Sequence, residues 1–285
     1  MTDSRRGGAV AVAAAAILWS TGGLAIKTLS LPPLAIVFHR AWIASAALLL
    51  FLRPARVPLT RTFAAGIASY AGMIVTFVVA TKWTTAANAI FLQDSGVLWV
   101  LLLSPLVTRE PIARRDVQAV AVALAGIALF FFGRISARGQ AGNLVGLLSG
   151  MFFAVTILLL RRQRGPASQW TAILGNALAA AAVTPFLRGI GSASGREWAI
   201  LAYLGLVQIA LAYALFIRGL NSITATEASL LSLLEPVFNP IWVLIGAGER
   251  PGPFAVAGGA VVIGAILWRT LSSGPREPEP IPTPD

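Results

Sequence analysis

The chain has 285 residues, of which 57% are hydrophobic and 12% are charged, and its formal net charge is +11. Soluble domains average about 25% charged residues, so this composition excludes an ordinary soluble domain and indicates a chain that lies mostly in a bilayer. With no cysteine and one histidine, the chain has neither disulfides nor a multi-histidine metal site, and we expect no cofactor.

Apolar windows of about 20 residues, the length needed to cross about 30 Å of hydrocarbon, recur ten times along the chain. A short N-terminal segment, 1–7, precedes the first window, and a Pro-rich tail, 274–285, follows the last and is expected to be disordered. The ten predicted spans are 8–29, 33–52, 62–82, 85–107, 115–133, 141–161, 168–188, 196–219, 224–246 and 252–271.

The basic residues lie in twos and threes between the apolar runs rather than in one solvated patch. This pattern is typical of membrane topology and not of nucleic-acid binding, so we expect lipid and no nucleic acid as partners. With the N-terminus inside, fourteen Lys and Arg residues fall in cytoplasmic segments and seven in outside segments. The excess of positive charge predicts that both termini are cytoplasmic.

Two stretches 139 positions apart resemble each other: 85–111, TAANAIFLQDSGVLWVLLLSPLVTREP, and 224–250, TATEASLLSLLEPVFNPIWVLIGAGER. Each begins with Thr-Ala at a helix start, continues through an apolar run and ends in a loop with an acid, Glu110 or Glu249. This indicates an internal repeat of two five-helix units, 8–133 and 141–271. Because five is odd, the second unit enters the membrane from the opposite side, which is the inverted repeat of many secondary transporters.

Glu235 lies near the middle of the ninth span, directly before Pro236. An ionisable side chain inside a membrane is a functional candidate by default. Proline frees backbone carbonyls nearby, so a carboxylate beside them would bind a substrate ammonium or hold a transported proton. The alternative is a glutamate that is protonated or hydrogen-bonded to a neighbouring helix for structural reasons.

Asn88 and Glu227 are equivalent in the repeat, but inversion separates them, with Asn88 close to an outside loop and Glu227 close to an inside loop. They are candidates for polar gates at the two mouths of a pathway, or for interfacial helix capping. On the fourth span, Asn88, Ser95 and Trp99 fall on one stripe at 100° per residue. Gly96, the counterpart of Glu235, is expected to leave room near the midplane.

Trp19 and Tyr213 lie within spans rather than at the interfacial belt where Trp and Tyr concentrate. If they face a cavity, their rings would stack on a substrate; if they face lipid, they have no such role. His39 is a candidate packing residue or proton relay, and its neighbour Arg40 is expected to snorkel toward the outside face.

The ten spans, the repeat of five and five, Trp19 and the TAANAIFLQ…W…SP…E element resemble the drug/metabolite transporter superfamily. Within it the chain is most similar to the EamA-type bacterial exporters of aromatic and neutral amino acids, over residues 8–271. One position departs from the family pattern: Val97 stands where such sequences usually carry a proline, as Pro236 does in the ninth span.

The resemblance implies an all-α transporter of the bacterial inner membrane that exports small metabolites by alternating access through a central cavity. Aromatic or neutral amino acids are the favoured substrates; the alternative is an exporter of drugs, cations or other metabolites in the same fold. A non-transporting membrane scaffold is the lesser alternative. The absence of HExxH and of paired-acid motifs argues against an enzyme. Proton-coupled and facilitated transport both stay open.

Overall fold

The computed structural model describes residues 3–55, 60–132, 139–187, 193–247 and 252–272, and all regular secondary structure within these ranges is helical. The predictions about Glu249 and the tail 274–285 fall outside the described residues. The same holds for six of the arginines counted for orientation, namely Arg56, Arg134, Arg138, Arg188, Arg250 and Arg276.

Fourteen α-helices follow one another in the described part of the chain. A 3₁₀ turn, Thr184–Phe186, follows α9, and a π-helical segment, Leu204–Leu211, joins α10 to α11. The helices are α1 (Asp3–Trp19), α2 (Gly22–Thr28), α3 (Pro33–Leu52), α4 (Arg61–Trp83), α5 (Ala86–Asp94), α6 (Gly96–Val107), α7 (Arg114–Phe130), α8 (Gln140–Gln163), α9 (Gly165–Val183), α10 (Gly195–Tyr203), α11 (Ala212–Leu220), α12 (Ala225–Ser232), α13 (Leu234–Ala247) and α14 (Pro253–Leu271).

Seven stretches among the described residues are long and apolar enough to cross a membrane, so the chain is a multi-pass membrane protein by length and composition. They are Asp3–Thr28, Pro33–Leu52, Arg61–Trp83, Asn88–Val107, Gln140–Gln163, Gly195–Leu220 and Pro253–Leu271. The other three predicted spans coincide with α7, with α9, and with α12 and α13 together. The number ten therefore stays a prediction.

The two Thr-Ala helix starts form as predicted. The hydroxyl oxygen of Thr85 accepts a hydrogen bond from the Asn88 backbone N–H at 3.0 Å, and that of Thr224 accepts one from the Glu227 N–H at 3.2 Å. Each bond satisfies an N–H that the first helical turn leaves unpaired. The repeated dipeptide therefore encodes the same local structure twice.

Both of these repeated stretches are interrupted near the middle. The first breaks at Ser95, whose hydroxyl donates to the Leu92 carbonyl at 2.6 Å, and the second breaks at Leu233. Pro236 then lies in the first turn of α13, where its missing N–H removes no helical hydrogen bond. The interruption thus precedes Pro236, and in the first stretch it forms without a proline at Val97.

The helices of the predicted halves interleave rather than form two separate bundles. Helix α4 packs on α8 and α9, while α1 packs on α11, and α3 packs on α9 and on the π-helical segment. Helix α7 packs on α14 so closely that a Cβ added at Gly258 would lie 2.5 Å from the Gly126 carbonyl oxygen. Small residues permit such close contact between membrane helices.

Candidate functional site

A small cavity lies among helices from both predicted halves. Its wall combines rings and apolar side chains with a few polar groups, which is the usual composition of a small-molecule site. The lining residues are Trp19, Arg40, Met73, Ile74, Phe77 and Gln93 from the first half, and Phe153, Gln208, Ile209, Tyr213 and Glu235 from the second.

Glu235 reaches this cavity from the first turn of α13, directly after the helix break, and is 8% exposed. A helix N-terminus favours a carboxylate through its dipole. Within the part of the chain that the structure describes, Glu235 forms no hydrogen bond and no ion pair with another side chain. The carboxylate is therefore available to a ligand in the cavity.

Trp19 and Tyr213 both face the cavity and are buried, so they do not face lipid. Their ring centroids are 5.0 Å apart, and Phe153 lies 6.1 Å from Trp19 in an edge-on arrangement. The Tyr213 hydroxyl donates to Met73 Sδ at 3.3 Å. Such a cluster fixes the rings and presents a largely apolar wall.

The end of α1 that carries Trp19 is held against the helix that carries Glu235. Asn239 of α13 donates its side-chain N–H to the Ser20 carbonyl at 2.8 Å, and the Trp242 indole N–H donates to the Ser20 hydroxyl at 2.7 Å. The first of these bonds uses the Ser20 carbonyl, which lies at the end of α1, where helical partners for carbonyls run out.

The sequence position of Arg40 suggested that its side chain snorkels to the outside face. It does not, because α3 packs against the π-helical segment at this residue. A Cβ added at Gly205 of that segment would lie 3.0 Å from the Arg40 carbonyl oxygen. The Arg40 side chain is 2% exposed and lines the cavity. Its Nε and Nη1 are buried with no hydrogen-bond partner among the described residues.

Two glutamines join Arg40 as lining residues that the sequence analysis missed. Gln93 Nε2 donates to the Ser149 hydroxyl at 2.9 Å, whereas Gln208 Oε1 is buried without a partner in the described ranges. The intramembrane position of Arg40 was a signal for function. Gln208 lies in the π-helical segment, and such segments often occur at functional sites but are not visible in a sequence pattern.

The predicted stripe on the fourth span does not reach the cavity. The helix breaks at Ser95, so the periodicity that aligned Asn88, Ser95 and Trp99 does not continue through it. Trp99 is 37% exposed at the surface. Gly96 does not leave free space, since a Cβ added there would lie 2.8 Å from the Gly150 carbonyl of α8.

Asn88 takes part in a polar network at one end of the molecule. Its side-chain amide donates to Asn143 Oδ1 at 2.8 Å and to the Thr84 hydroxyl at 3.2 Å, and Thr84 also donates to Asn143 at 2.7 Å. Asn143 belongs to α8, so the network joins the two predicted halves. Lys27 Nζ adds a bond of 2.8 Å to the Thr84 carbonyl.

Glu227 forms an ion pair of 2.9 Å with Arg5, at the end of the molecule where α1 and α12 begin. Both side chains are largely buried. Two further ion pairs between the predicted halves are Arg161 with Glu110 at 2.8 Å and Arg269 with Asp116 at 2.5 Å. Each predicted gate residue therefore belongs to a set of contacts between helices of the two halves; for Glu227 the partner Arg5 lies in α1, just before the first half as predicted.

His39 lies beside the cavity wall rather than in it. Its ring makes edge-on contacts with Trp198 at 4.8 Å and Phe38 at 5.2 Å, and its Nδ1 is buried with no hydrogen-bond partner in the described chain. This geometry agrees with a packing role. Among the described residues, no cluster of His, Asp and Glu could hold a metal ion.

Comparison with known proteins identifies the family. The model of the EamA-like transporter family matches residues 6–132 and again residues 140–271. An uncharacterized transporter of Archaeoglobus fulgidus is 26% identical over 269 residues, covering 93% of this chain and 97% of that protein. A solved crystal structure shares the fold with a TM-score of 0.80 at 21% identity, over 94% of this chain and 98% of the other.

These matches confirm the resemblance to the EamA-type transporter family. Transporters move their substrates without a chemical step, so the comparisons favour a transporter over an enzyme. The family model covers nearly the whole chain in two consecutive matches. The chain belongs to the EamA-like transporter family.

Proposed function

We propose that the chain is a secondary transporter that exports small metabolites across the bacterial cytoplasmic membrane, with aromatic or neutral amino acids as substrates. The observation that carries this proposal is the cavity between the two family-matched segments, with Glu235, Trp19 and Tyr213 in its wall. A mostly apolar site with one carboxylate suits the ring and the ammonium group of such a ligand.

An inverted repeat with both termini cytoplasmic is the architecture we propose. Its support is that the family model matches twice, that the helix breaks at Ser95 and Leu233 lie in corresponding stretches, and that the α4–α8 pairing has its counterpart in α11–α1. Interrupted helices at corresponding positions of two halves are the usual location of a transporter's binding site.

Alternating access would open the two ends of the cavity in turn. We propose Glu227 as part of the inner gate and Asn88 as part of the outer gate, because each belongs to contacts between the halves at its own end. Both sets of contacts are present in this structure, so rocking one half against the other must break them at one end at a time. Ser95, Gly96 and Trp99 are not part of this proposed pathway.

Glu235 is the proposed coupling residue. A carboxylate that holds a proton in one state and a substrate ammonium in the other would link the two fluxes. His39 is a weaker candidate, since it does not line the cavity. Facilitated export down a metabolic gradient needs no such residue.

An exporter of lipophilic cations or drugs is the second candidate. The observation that favours it is the same acid among aromatic rings, because a cation without a carboxylate would bind there through charge and cation–π attraction. A non-transporting scaffold is the lesser candidate, since it gives the buried carboxylate and the cavity no role.

The test is uptake into proteoliposomes of the purified protein, with radiolabelled amino acids screened with and without an imposed proton gradient. Saturable uptake of aromatic or neutral amino acids supports the proposal, and its response to the gradient separates coupled from facilitated transport. Folded protein that takes up no amino acid but takes up lipophilic cations would establish the second candidate. Empty liposomes are the control.

A further inference from the structure

Arg40 is a buried cation for which the described chain provides incomplete partners. The side chain is 2% exposed within α3, and neither Nε nor Nη1 has a hydrogen-bond partner among the described residues. An unpaired charge inside a membrane protein is strongly unfavourable, and such residues pair with each other or mark a substrate pathway. Arg40 lines the cavity, so a ligand there can reach it.

The two buried acids of this region do not neutralise Arg40 by direct contact. Glu235 lines the same cavity but forms no ion pair within 4.0 Å with Arg40. Asp94 is buried, and its Oδ2 has no hydrogen-bond partner in the described ranges. The guanidinium therefore keeps N–H donors available for an acceptor that arrives from outside the chain.

The guanidinium group selects the chemistry of that acceptor. Its planar fork matches a carboxylate with two parallel hydrogen bonds, which are about twice as strong as neutral ones. Arg40 is the one cation among the residues that line this cavity, and Glu235 adds a negative charge. A cavity wall with one positive and one negative side chain suits a singly charged carboxylate and disfavours a doubly charged phosphate.

The opposite end of such a ligand also has a counterpart. Glu235 and the unpartnered Oε1 of Gln208 are hydrogen-bond acceptors at the same cavity, and both suit an ammonium group. Trp19 and Tyr213 supply the apolar wall between the polar groups. The cavity thus offers one donor cation, two acceptors and aromatic rings.

We propose that Arg40 binds the carboxylate of the transported molecule and that Arg40 and Glu235 together select α-amino acids in their zwitterionic form. This inference rests on the proposed transport function and names the substrate class of the same cavity. It separates the two candidate functions, because a lipophilic cation makes no use of Arg40.

The test compares matched ligands for binding to the purified full-length protein. The series is L-phenylalanine, L-phenylalanine amide, phenethylamine and 3-phenylpropionate, with the corresponding L-leucine series as a second set, each measured by ligand-induced thermal stabilisation and by isothermal titration. The wild type is expected to bind L-phenylalanine about tenfold to one-hundredfold more tightly than its amide, as expected for a charge-assisted hydrogen-bonded pair.

Two variants divide the contributions. Arg40→Gln is expected to weaken the binding of L-phenylalanine and 3-phenylpropionate by about tenfold to one-hundredfold and to leave the binding of phenethylamine unchanged. Arg40→Lys is expected to weaken the binding of the two carboxylates less. Glu235→Gln is the matched variant. It should weaken the binding of L-phenylalanine and phenethylamine and leave the binding of 3-phenylpropionate unchanged. Size-exclusion profiles establish that the variants are folded.

The proposal is overturned if the wild type binds the amide or the amine as tightly as the amino acid. It is also overturned if Arg40→Gln retains the affinity for L-phenylalanine within about twofold, or if no carboxylate of either series binds. If the Arg40 variants do not fold, the affinities of the wild type for L-phenylalanine and for its amide still test whether the carboxylate is recognised. Retained carboxylate binding without any transport would contradict the proposed transport function, while the selection of α-amino acids by Arg40 and Glu235 as ligands of the cavity would stand.

Discussion

Arg161 of α8 and Glu110 of the loop between α6 and α7 form an ion pair of 2.8 Å across the boundary of the two family-matched segments. Arg161 also donates to the Leu220 carbonyl at 2.8 Å, and Glu110 accepts from the Ala225 N–H at 3.0 Å. The Arg161–Glu110 pair therefore connects the ends of four helices, α6, α8, α11 and α12. The guanidinium is 1% exposed, so water screens it little.

Removing Arg161 should therefore destabilise the fold. Arg161→Met removes the cation that pairs with Glu110 and the donor to the Leu220 carbonyl, and the expected loss is about 3–5 kcal/mol of unfolding free energy. Chemical unfolding in detergent measures it. Arg218→Met, at an exposed position in the last turn of α11, is the control and should change stability by less than about 0.5 kcal/mol. Equal stabilities of the two variants would contradict the importance of the pair.

A disulfide at the same end should stop transport reversibly. The hydroxyls of Ser4 and Ser222 are 3.2 Å apart, and the chain has no cysteine of its own. The Ser4→Cys/Ser222→Cys variant is expected to form a disulfide that joins α1 to the turn after α11, because the two side chains are already in contact and the sulfur atoms need to move by only about 1 Å to reach bonding distance. Uptake should fall on oxidation and return with a reducing agent.

The two single-cysteine variants are the controls for this experiment and should transport at the same rate with and without oxidant. Alternating access requires this end to open in each cycle. A fully cross-linked protein that transports as fast as its reduced form would show that the contact between Ser4 and Ser222 persists through the cycle.

A substitution at Gly258 should disturb the pairing of α7 with α14. A Cβ there would lie 2.4 Å from the Phe130 backbone nitrogen and 2.5 Å from the Gly126 carbonyl oxygen, so Gly258→Ala forces the helices apart. The expected destabilisation is about 1–3 kcal/mol. Gly264→Ala in the same helix is the matched control, because nothing lies within 4 Å of the added Cβ and alanine favours the helix. In thermal unfolding measurements in detergent, Gly264→Ala should have a higher Tm than Gly258→Ala.

Trp19 and Trp99 should differ in their effect on substrate affinity. Trp19 lines the cavity and is 5% exposed, whereas Trp99 is 37% exposed at the surface. Trp19→Ala is expected to raise the KM for an aromatic amino acid by at least about tenfold, since it removes an aromatic wall of the site. Trp99→Ala should leave the KM within about twofold. The reverse order would favour the pathway along the fourth span that its sequence periodicity indicated.

Local rules of the sequence predict much of this fold. Apolar windows locate the membrane helices, and the Thr-Ala dipeptides at Thr85 and Thr224 predict helix starts whose capping bonds are present. The position of Glu235 before a proline marks the cavity, because a buried acid near a helix interruption is unfavourable without a role.

The remaining features depend on contacts between distant helices. Arg40 is buried because the π-helical segment covers α3, and no local sequence pattern predicts that segment. Gly96 provides close packing with Gly150 rather than free space, which depends on the position of α8. Trp99 is 37% exposed and does not line the cavity, and the periodicity of the fourth span alone does not indicate this.

The central claim is that the cavity around Glu235 is the transport pathway. The most direct test measures gradient-driven accumulation and substrate exchange of a radiolabelled aromatic amino acid in the same proteoliposomes, for the wild type and for Glu235→Gln. We expect the wild type to perform both, and the variant to lose accumulation against a gradient while it retains exchange, because the neutral amide cannot carry a proton. Accumulation by Glu235→Gln at the wild-type rate would contradict the account.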